Sequence, residues 1–328
     1  MIEGTDLKTA GLPRVMAGLM ILSCLAGCST VSVDNAKTLG AAGKEVSTQV
    51  SSNIFASDDE YRQGIEADLF LHGYADTQVP EAVAAGYRKV AIELGARKLV
   101  FSKLHDLYSA FYDLASSGDG SGIDRSLVDF GNAVNGYAAS RQRRALVPAS
   151  AVGLAGEAGK LIAADRQRRS IIRTSALIRG HLIELLQLLD DPLVRTQMET
   201  FRQNLVQNRV SAIKLLWRSG LLDPVDLIDQ MGQSEGLKTA PKSGDAIGNR
   251  RYASVRNGLQ SVVDYRLENK VRLVAQGYDA SVNALKVLIA RHEKLEKGEE
   301  VSVAELRGIS GELQVITGLL AKHASTNK

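Results

Sequence analysis

Cysteine is almost missing from this chain: 328 residues contain two, Cys24 and Cys28, both near the N-terminus. Everything after Cys28 lacks a thiol, which excludes disulfide frameworks, cysteine metal sites and a cysteine nucleophile from the body of the protein. Proline is scarce at 6 residues, and aromatics make up 5% with a single Trp. No stretch shows the period-two alternation of β-branched and polar residues that a half-buried strand needs. Few helix breakers and no strand pattern read as helix throughout. The chain also lacks His-Glu-x-x-His, Gly-x-Ser-x-Gly and Glu-x-x-His, the patterns of zinc hydrolases, serine hydrolases and di-iron bundles. The segment Gly153 to Lys160 has the wrong spacing for a phosphate loop, with Leu161 where a metal-binding hydroxyl belongs. No metal or cofactor is expected, and no catalytic residue.

What is present begins at the N-terminus. Lys8 and Arg14 precede an apolar run of 11 residues, Val15 to Leu25. A helix needs roughly 20 apolar residues to cross a bilayer core, so this run is too short for a stable span. It ends in Leu25-Ala26-Gly27-Cys28, giving the three-part layout of a secretory signal. Leu-Ala-Gly-Cys resembles the lipobox of bacterial lipoprotein precursors. The resemblance implies recognition of Leu25, Ala26 and Gly27 by the processing peptidase, cleavage before Cys28, and acylation of Cys28, with palmitate among the chains. Cys24 is the competing acceptor, but bulky Leu22 stands where a lipobox has a smaller residue. An Asp after the cysteine retains lipoproteins of this class at the inner membrane. Ser29 in that position implies the outer membrane, with the body facing the periplasm, or displayed outside the cell. Two or more acyl chains hold a protein at a membrane stably, where one binds marginally.

The net charge of +3 conceals a polarity. Residues 28–140 hold 9 Lys/Arg against 15 Asp/Glu, whereas residues 141–218 hold 14 against 6. The basic middle includes an echo, Arg141-Gln142-Arg143-Arg144 and Arg166-Gln167-Arg168-Arg169. Arg141, Arg143, Arg144, Arg166, Arg168 and Arg169 are therefore candidates for contact with anionic lipid headgroups or another anionic envelope polymer. The competing reading is internal pairing with the acidic segment, or a solvated face. A third copy is lacking, which argues against a repeat architecture. No aromatic-interleaved basic motif is present, and nucleic acid is not an expected partner. Between the two copies, Ala145 to Gly156 is uncharged and rich in Ala and Gly; it suits close helix packing, or insertion by a pore-associated protein.

Periodicity and caps set the expected elements. Ser29 to Asn35 reads as a short tether, residues 36–54 as a weak helix, and Ser57-Asp58-Asp59-Glu60 as a capping box starting the next helix. Pro80 opens a helix to about Ser116 that carries Tyr87, Ile92, Leu99, Phe101, Leu104, Tyr108, Phe111 and Tyr112. Of 16 aromatics, 11 lie between Phe55 and Tyr137, so the best-packed core is expected there. A helix from Ile123 to about Arg144 follows, then a long one from Pro148 to Leu189. Asp191-Pro192 signals an N-cap and first turn for a helix reaching Trp217, and Asp223-Pro224 repeats the signal for a short one. An apolar stripe from Tyr252 to Leu295 steps by three to five residues and includes His292, read as a boundary residue. Gly298 ends it, and Ser302-Val303-Ala304-Glu305 reads as a capping box for a terminal helix.

The expected fold is all-α, an elongated antiparallel helical bundle with a C-terminal helical hairpin of coiled-coil character. The expected organisation is a signal peptide over 1–27, a lipidated Cys with tether and weak helix over 28–56, a helical bundle over 57–232, a hinge over 233–247, and a hairpin packed on the bundle over 248–328. The expected function is non-enzymatic: a lipid-anchored envelope scaffold, adaptor or accessory subunit with an envelope protein partner. The alternatives are a membrane-active or pore-associated helical protein, and an enzyme acting on cell-wall or lipid substrates.

Overall fold

The computed structural model describes residues 12–142, 164–219, 221–222, 227, 231–233 and 251–325, with side chains in the first helix from residue 33 onward. The chain is an all-α helical bundle. In order, the described helices are α1 (Leu12–Tyr74), α2 (Glu81–Ser117), α3 (Ile123–Ser140), α4 (Ala164–Leu189), α5 (Pro192–Arg218), α6 (Arg251–Lys297) and α7 (Ala304–Ser325).

Cross-chain pairs fix the directions. Residues 75–80 turn the chain so that α2 runs back along α1, and Tyr108 of α2 lies against Gly43 of α1. Gly118, with φ +74°, closes α2 in the left-handed conformation that glycine adopts without a Cβ penalty. Helix α4 pairs antiparallel with the end of α6 through Arg179 and Glu296 (2.9 Å), and α5 with the start of α6 through Lys214 and Asp264 (3.1 Å). Two helices in succession thus cover the length that α6, at 47 residues and about 70 Å, covers alone. The break between them is the one that Asp191-Pro192 predicts: Asp191 Oδ1 accepts from the Leu193 amide at 2.9 Å, and Pro192 occupies the first turn. Gly298, φ +71°, ends α6 before α7 returns as the second arm of the hairpin.

Three expectations are corrected. Residues 29–56 are neither tether nor separate helix, because α1 is helical without a break from Leu12 to Tyr74. Ser57 does not start a helix; its hydroxyl donates back to the Asn53 carbonyl at 2.8 Å inside α1, the pattern of a mid-helix serine. The proposed boundary at 57 falls inside α1, and one core spans it. Ala36, Leu39 and Val46 of α1 pack in the same cluster as Leu107 and Phe111 of α2, Leu182 of α4, Leu288 of α6 and Leu306 and Leu313 of α7. In α2, Ile92, Leu99 and Tyr112 point to solvent, and the buried face is Leu94, Val100, Phe101, Leu104, Leu107, Tyr108, Phe111 and Leu114. The α6 stripe is buried as expected at Leu259, Leu267, Val274, Val282, Leu285, Leu288 and Leu295. Helix α3 ends at Ser140. The expected start at Pro148, the Ala145–Gly156 segment, Gly220, the Asp223-Pro224 start and the hinge over 234–247 lie outside the described residues.

A smaller cluster holds the other end together. Tyr61 of α1, Leu205 of α5, Val274 of α6 and Ile316 and Leu320 of α7 form it. Beside it, Glu60 of α1 accepts from Lys270 of α6 (3.0 Å) and pairs with Arg209 of α5. All three side chains are largely withdrawn from water, so each needs the others to offset its desolvation.

Candidate functional site

The described residues form a half-open cavity beside the break in the chain opposite α6. Where α4 stops at Leu189 and α5 starts at Pro192, the two helices leave a gap beside α6. A cavity of about 390 Å³ remains, walled by α1, α2, α5 and α6 and by the end of α4. Its volume falls within the range of small-molecule pockets, about 300–1,000 Å³. Ile54, Phe101, Leu189, Val274 and Val282 line one part of it.

Three arginines from different helices line the rest: Arg97 of α2, and Arg195 and Arg202 of α5. Arg195 pairs with Asp190 (2.9 Å) and Asp279 (2.8 Å), and Arg202 pairs with Glu199. Arg97 is 6% exposed, and its described contact is with an aromatic face: its guanidinium lies 5.4 Å from the centre of the Tyr278 ring. Arg195 approaches the same ring at 5.7 Å. Tyr278 is held in place by its hydroxyl, which donates to the Leu189 carbonyl. That carbonyl is one of those left over where a helix ends. Asn53 of α1 completes the wall, lying so close to α6 that a Cβ at position 277 would overlap its amide. Gly277 is what permits this approach. Burial holds the Arg202 guanidinium below the usual arginine range.

A second polar group sits in the main core. His292, fully buried, has Nε2 2.9 Å from the Tyr108 hydroxyl and Nδ1 2.8 Å from the Ser175 hydroxyl. With the proton on Nδ1, every group is satisfied: Nδ1 donates to Ser175 Oγ, Ser175 donates to the His292 carbonyl (3.4 Å), and Tyr108 donates to Nε2. Burial lowers the His292 pKa from its ordinary 6.5 to about 3, with the nearby positive charge of Arg179 adding to the effect. A serine beside an imidazole suggests a hydrolase. However, Ser175 is fully buried and lines none of the described cavities, so this pair reads as a structural pin. His292 is a core residue and not the boundary residue its place in the stripe suggests.

Of the six basic residues singled out by the sequence, Arg141, Arg168 and Arg169 have described side chains, and these differ in burial. Arg141 is buried and paired with Glu93 of α2, and its Nη1 lies 3.2 Å from the Tyr137 hydroxyl. This corrects its assignment to a surface patch: the acidic segment neutralises it internally. Arg168 is partly buried, with an Nε that has no acceptor, and Arg169 is exposed. Arg143, Arg144 and the side chain of Arg166 lie outside the described residues, as do the side chains of Leu25, Ala26, Gly27 and Cys28. His181 and Glu184 sit 3.5 Å apart on α4, and burial pushes both toward their neutral forms. No cluster of three or more metal-ligating side chains occurs among the described residues, and among them no helix is long and apolar enough to cross a membrane.

Arg97, Arg202 and Asn53 escape sequence reading because each looks like an ordinary surface residue of an amphipathic helix. The available signals were indirect: a glycine at 277 within an apolar stripe, and a helix break facing an unbroken helix. No known protein family, curated protein or solved structure matches the chain.

Proposed function

We propose that this chain is a lipid-anchored envelope protein, held through acylated Cys28, that works as a non-enzymatic adaptor or accessory subunit of an envelope assembly. The observation that carries the reading is the course of α1. It runs as one helix from the lipobox region through the core, and Ala36, only two turns beyond Cys28, is already fully buried. The lipid would therefore grip the bundle itself and hold it in a set orientation. At its other end, some 70 Å away by helical rise, α1 exposes Leu69, Phe70 and Tyr74. An anchor at one end and exposed apolar side chains at the other suit a protein that presents a partner site away from the membrane. The outer membrane is the proposed address, on the strength of Ser29. The sealed Ser175–His292 pair supports a non-catalytic role.

The test uses the full chain in a bacterial cell. Palmitate labelling marks the wild type and is lost in Cys28→Ser. A photocrosslinking residue replacing Phe70 captures a discrete envelope protein, and the same residue replacing Lys37, near the anchor, does not capture it. An unlabelled wild type removes the anchor, and equal capture from both positions removes the adaptor.

A further inference from the structure

The cavity at the α4–α5 break is rich in donors that lack acceptors. Among its lining residues, four buried side-chain atoms have no hydrogen-bond partner: Asn53 Nδ2, Arg97 Nε, Arg195 Nε and Arg202 Nε. All four are nitrogen donors, and no lining side-chain acceptor is among the unpartnered atoms.

Charge points the same way. Arg195 is matched by Asp190 and Asp279, and Arg202 by Glu199. Arg97 is the remaining cation, more than nine-tenths buried and without a carboxylate among the described ion pairs. A guanidinium does not escape burial by losing its proton. The face of Tyr278 compensates it only in part. Arg97 thus lacks a carboxylate of its own among the described ion pairs.

We propose that this cavity binds an amphipathic monoanion, a single carboxylate on an apolar chain, of the fatty-acid class. The carboxylate accepts from Arg97 and Asn53, and the chain lies along Ile54, Phe101, Val274 and Val282. One unmatched cation calls for one negative charge, which favours a carboxylate over a doubly charged phosphate monoester. At the roughly 30 Å³ that a liquid water occupies, the cavity has room for about a dozen non-hydrogen atoms, so a chain of about ten carbons fits. The inference rests on the cavity alone and holds wherever the chain is anchored.

Isothermal titration of decanoate into the full chain tests it, with Cys28→Ser in the background so that no acyl group of its own competes. Saturable one-to-one binding is expected. Decanol, which lacks the charge, binds at least tenfold more weakly, and acetate, which lacks the chain, gives no saturable heat. Arg97→Met, which keeps the apolar stem, weakens decanoate at least tenfold and leaves decanol unchanged. Ala275→Trp, which fills the cavity from α6, abolishes binding of both and serves if Arg97→Met fails to fold. Equal affinity for decanoate and decanol overturns the proposal, as does unchanged binding in either folded variant. Displacement of decanoate by inorganic phosphate at millimolar concentration would overturn the carboxylate assignment.

Discussion

The Tyr108 hydroxyl lies 2.9 Å from His292 Nε2, joining α2 to α6 across 184 residues of sequence. The two rings are also in contact, with centroids 5.7 Å apart. Among the described residues, the Tyr108 hydroxyl is the donor that satisfies Nε2. Tyr108→Phe keeps the ring and removes the donor, leaving a buried nitrogen unsatisfied. The expected loss is about 1–3 kcal/mol, read from urea unfolding followed by circular dichroism. His292→Ala removes the acceptor and opens a cavity as well, and it should cost more than the tyrosine variant.

The same histidine makes stability depend on pH. In the unfolded chain its imidazole takes up a proton near pH 6.5; in the folded protein burial delays protonation to about 3. Below pH 6.5 the unfolded state binds more protons, so stability falls as the medium is acidified. One such group contributes a slope of about 1.4 kcal/mol per pH unit. Burial lowers the His181 pKa too, which adds in the same direction. Urea midpoints measured from pH 7 to pH 5, above the carboxylate range, should decline. His292→Gln, if it folds, should flatten the decline. A flat wild-type profile would contradict the burial of this histidine.

Gly43 places the Tyr108 ring directly on the backbone of α1, and a Cβ there would overlap ring atoms. Gly43→Ala should destabilise the protein by about 1–3 kcal/mol through overpacking. Gly95 lies within α2, and nothing stands within 4 Å of the Cβ it would gain. Gly95→Ala should stabilise by about 0.5–1 kcal/mol through helix propensity alone. Thermal melts of the two variants should therefore move in opposite directions.

Glu60 is the single carboxylate between Arg209 and Lys270. Glu60→Gln leaves two largely buried cations without a counter-charge and should cost about 3–5 kcal/mol. Arg62, two residues along and exposed, pairs with Asp59 and Glu66. Arg62→Gln should leave the melting temperature unchanged, because solvent screens such pairs.

These contrasts show what the sequence made legible. The stripe on α6 and the Asp191-Pro192 start were readable because each depends on residues within a turn or two of one another. Ser57 was misread because a serine three residues before a glutamate is also what a polar patch inside a long helix looks like. Whether Glu60 turns back to its own helix end or out to Arg209 and Lys270 is decided by residues more than 140 positions away. The residues from Ala36 to Ile54 look like a weak helix by propensity, yet their small side chains are what let α2 approach closely. Arg97 and Arg141 have the same charge and, in the sequence, the same helical expectation. Only the partner helices show that Arg141 meets Glu93 while Arg97 lies against the Tyr278 ring beside a cavity.

The course of α1 has a dynamic consequence. Its first half is clamped by the large core and its second half by the much smaller cluster around Tyr61, while α5, the neighbour of that second half, joins α4 only through Asp190 and Asp191. One unbroken helix thus belongs to two cooperative units of unequal strength. Its backbone amides should exchange with solvent slowly from about Ala36 to Ile54 and much faster beyond Tyr61. The N-terminal half would then remain folded while the C-terminal half opens and closes as a unit.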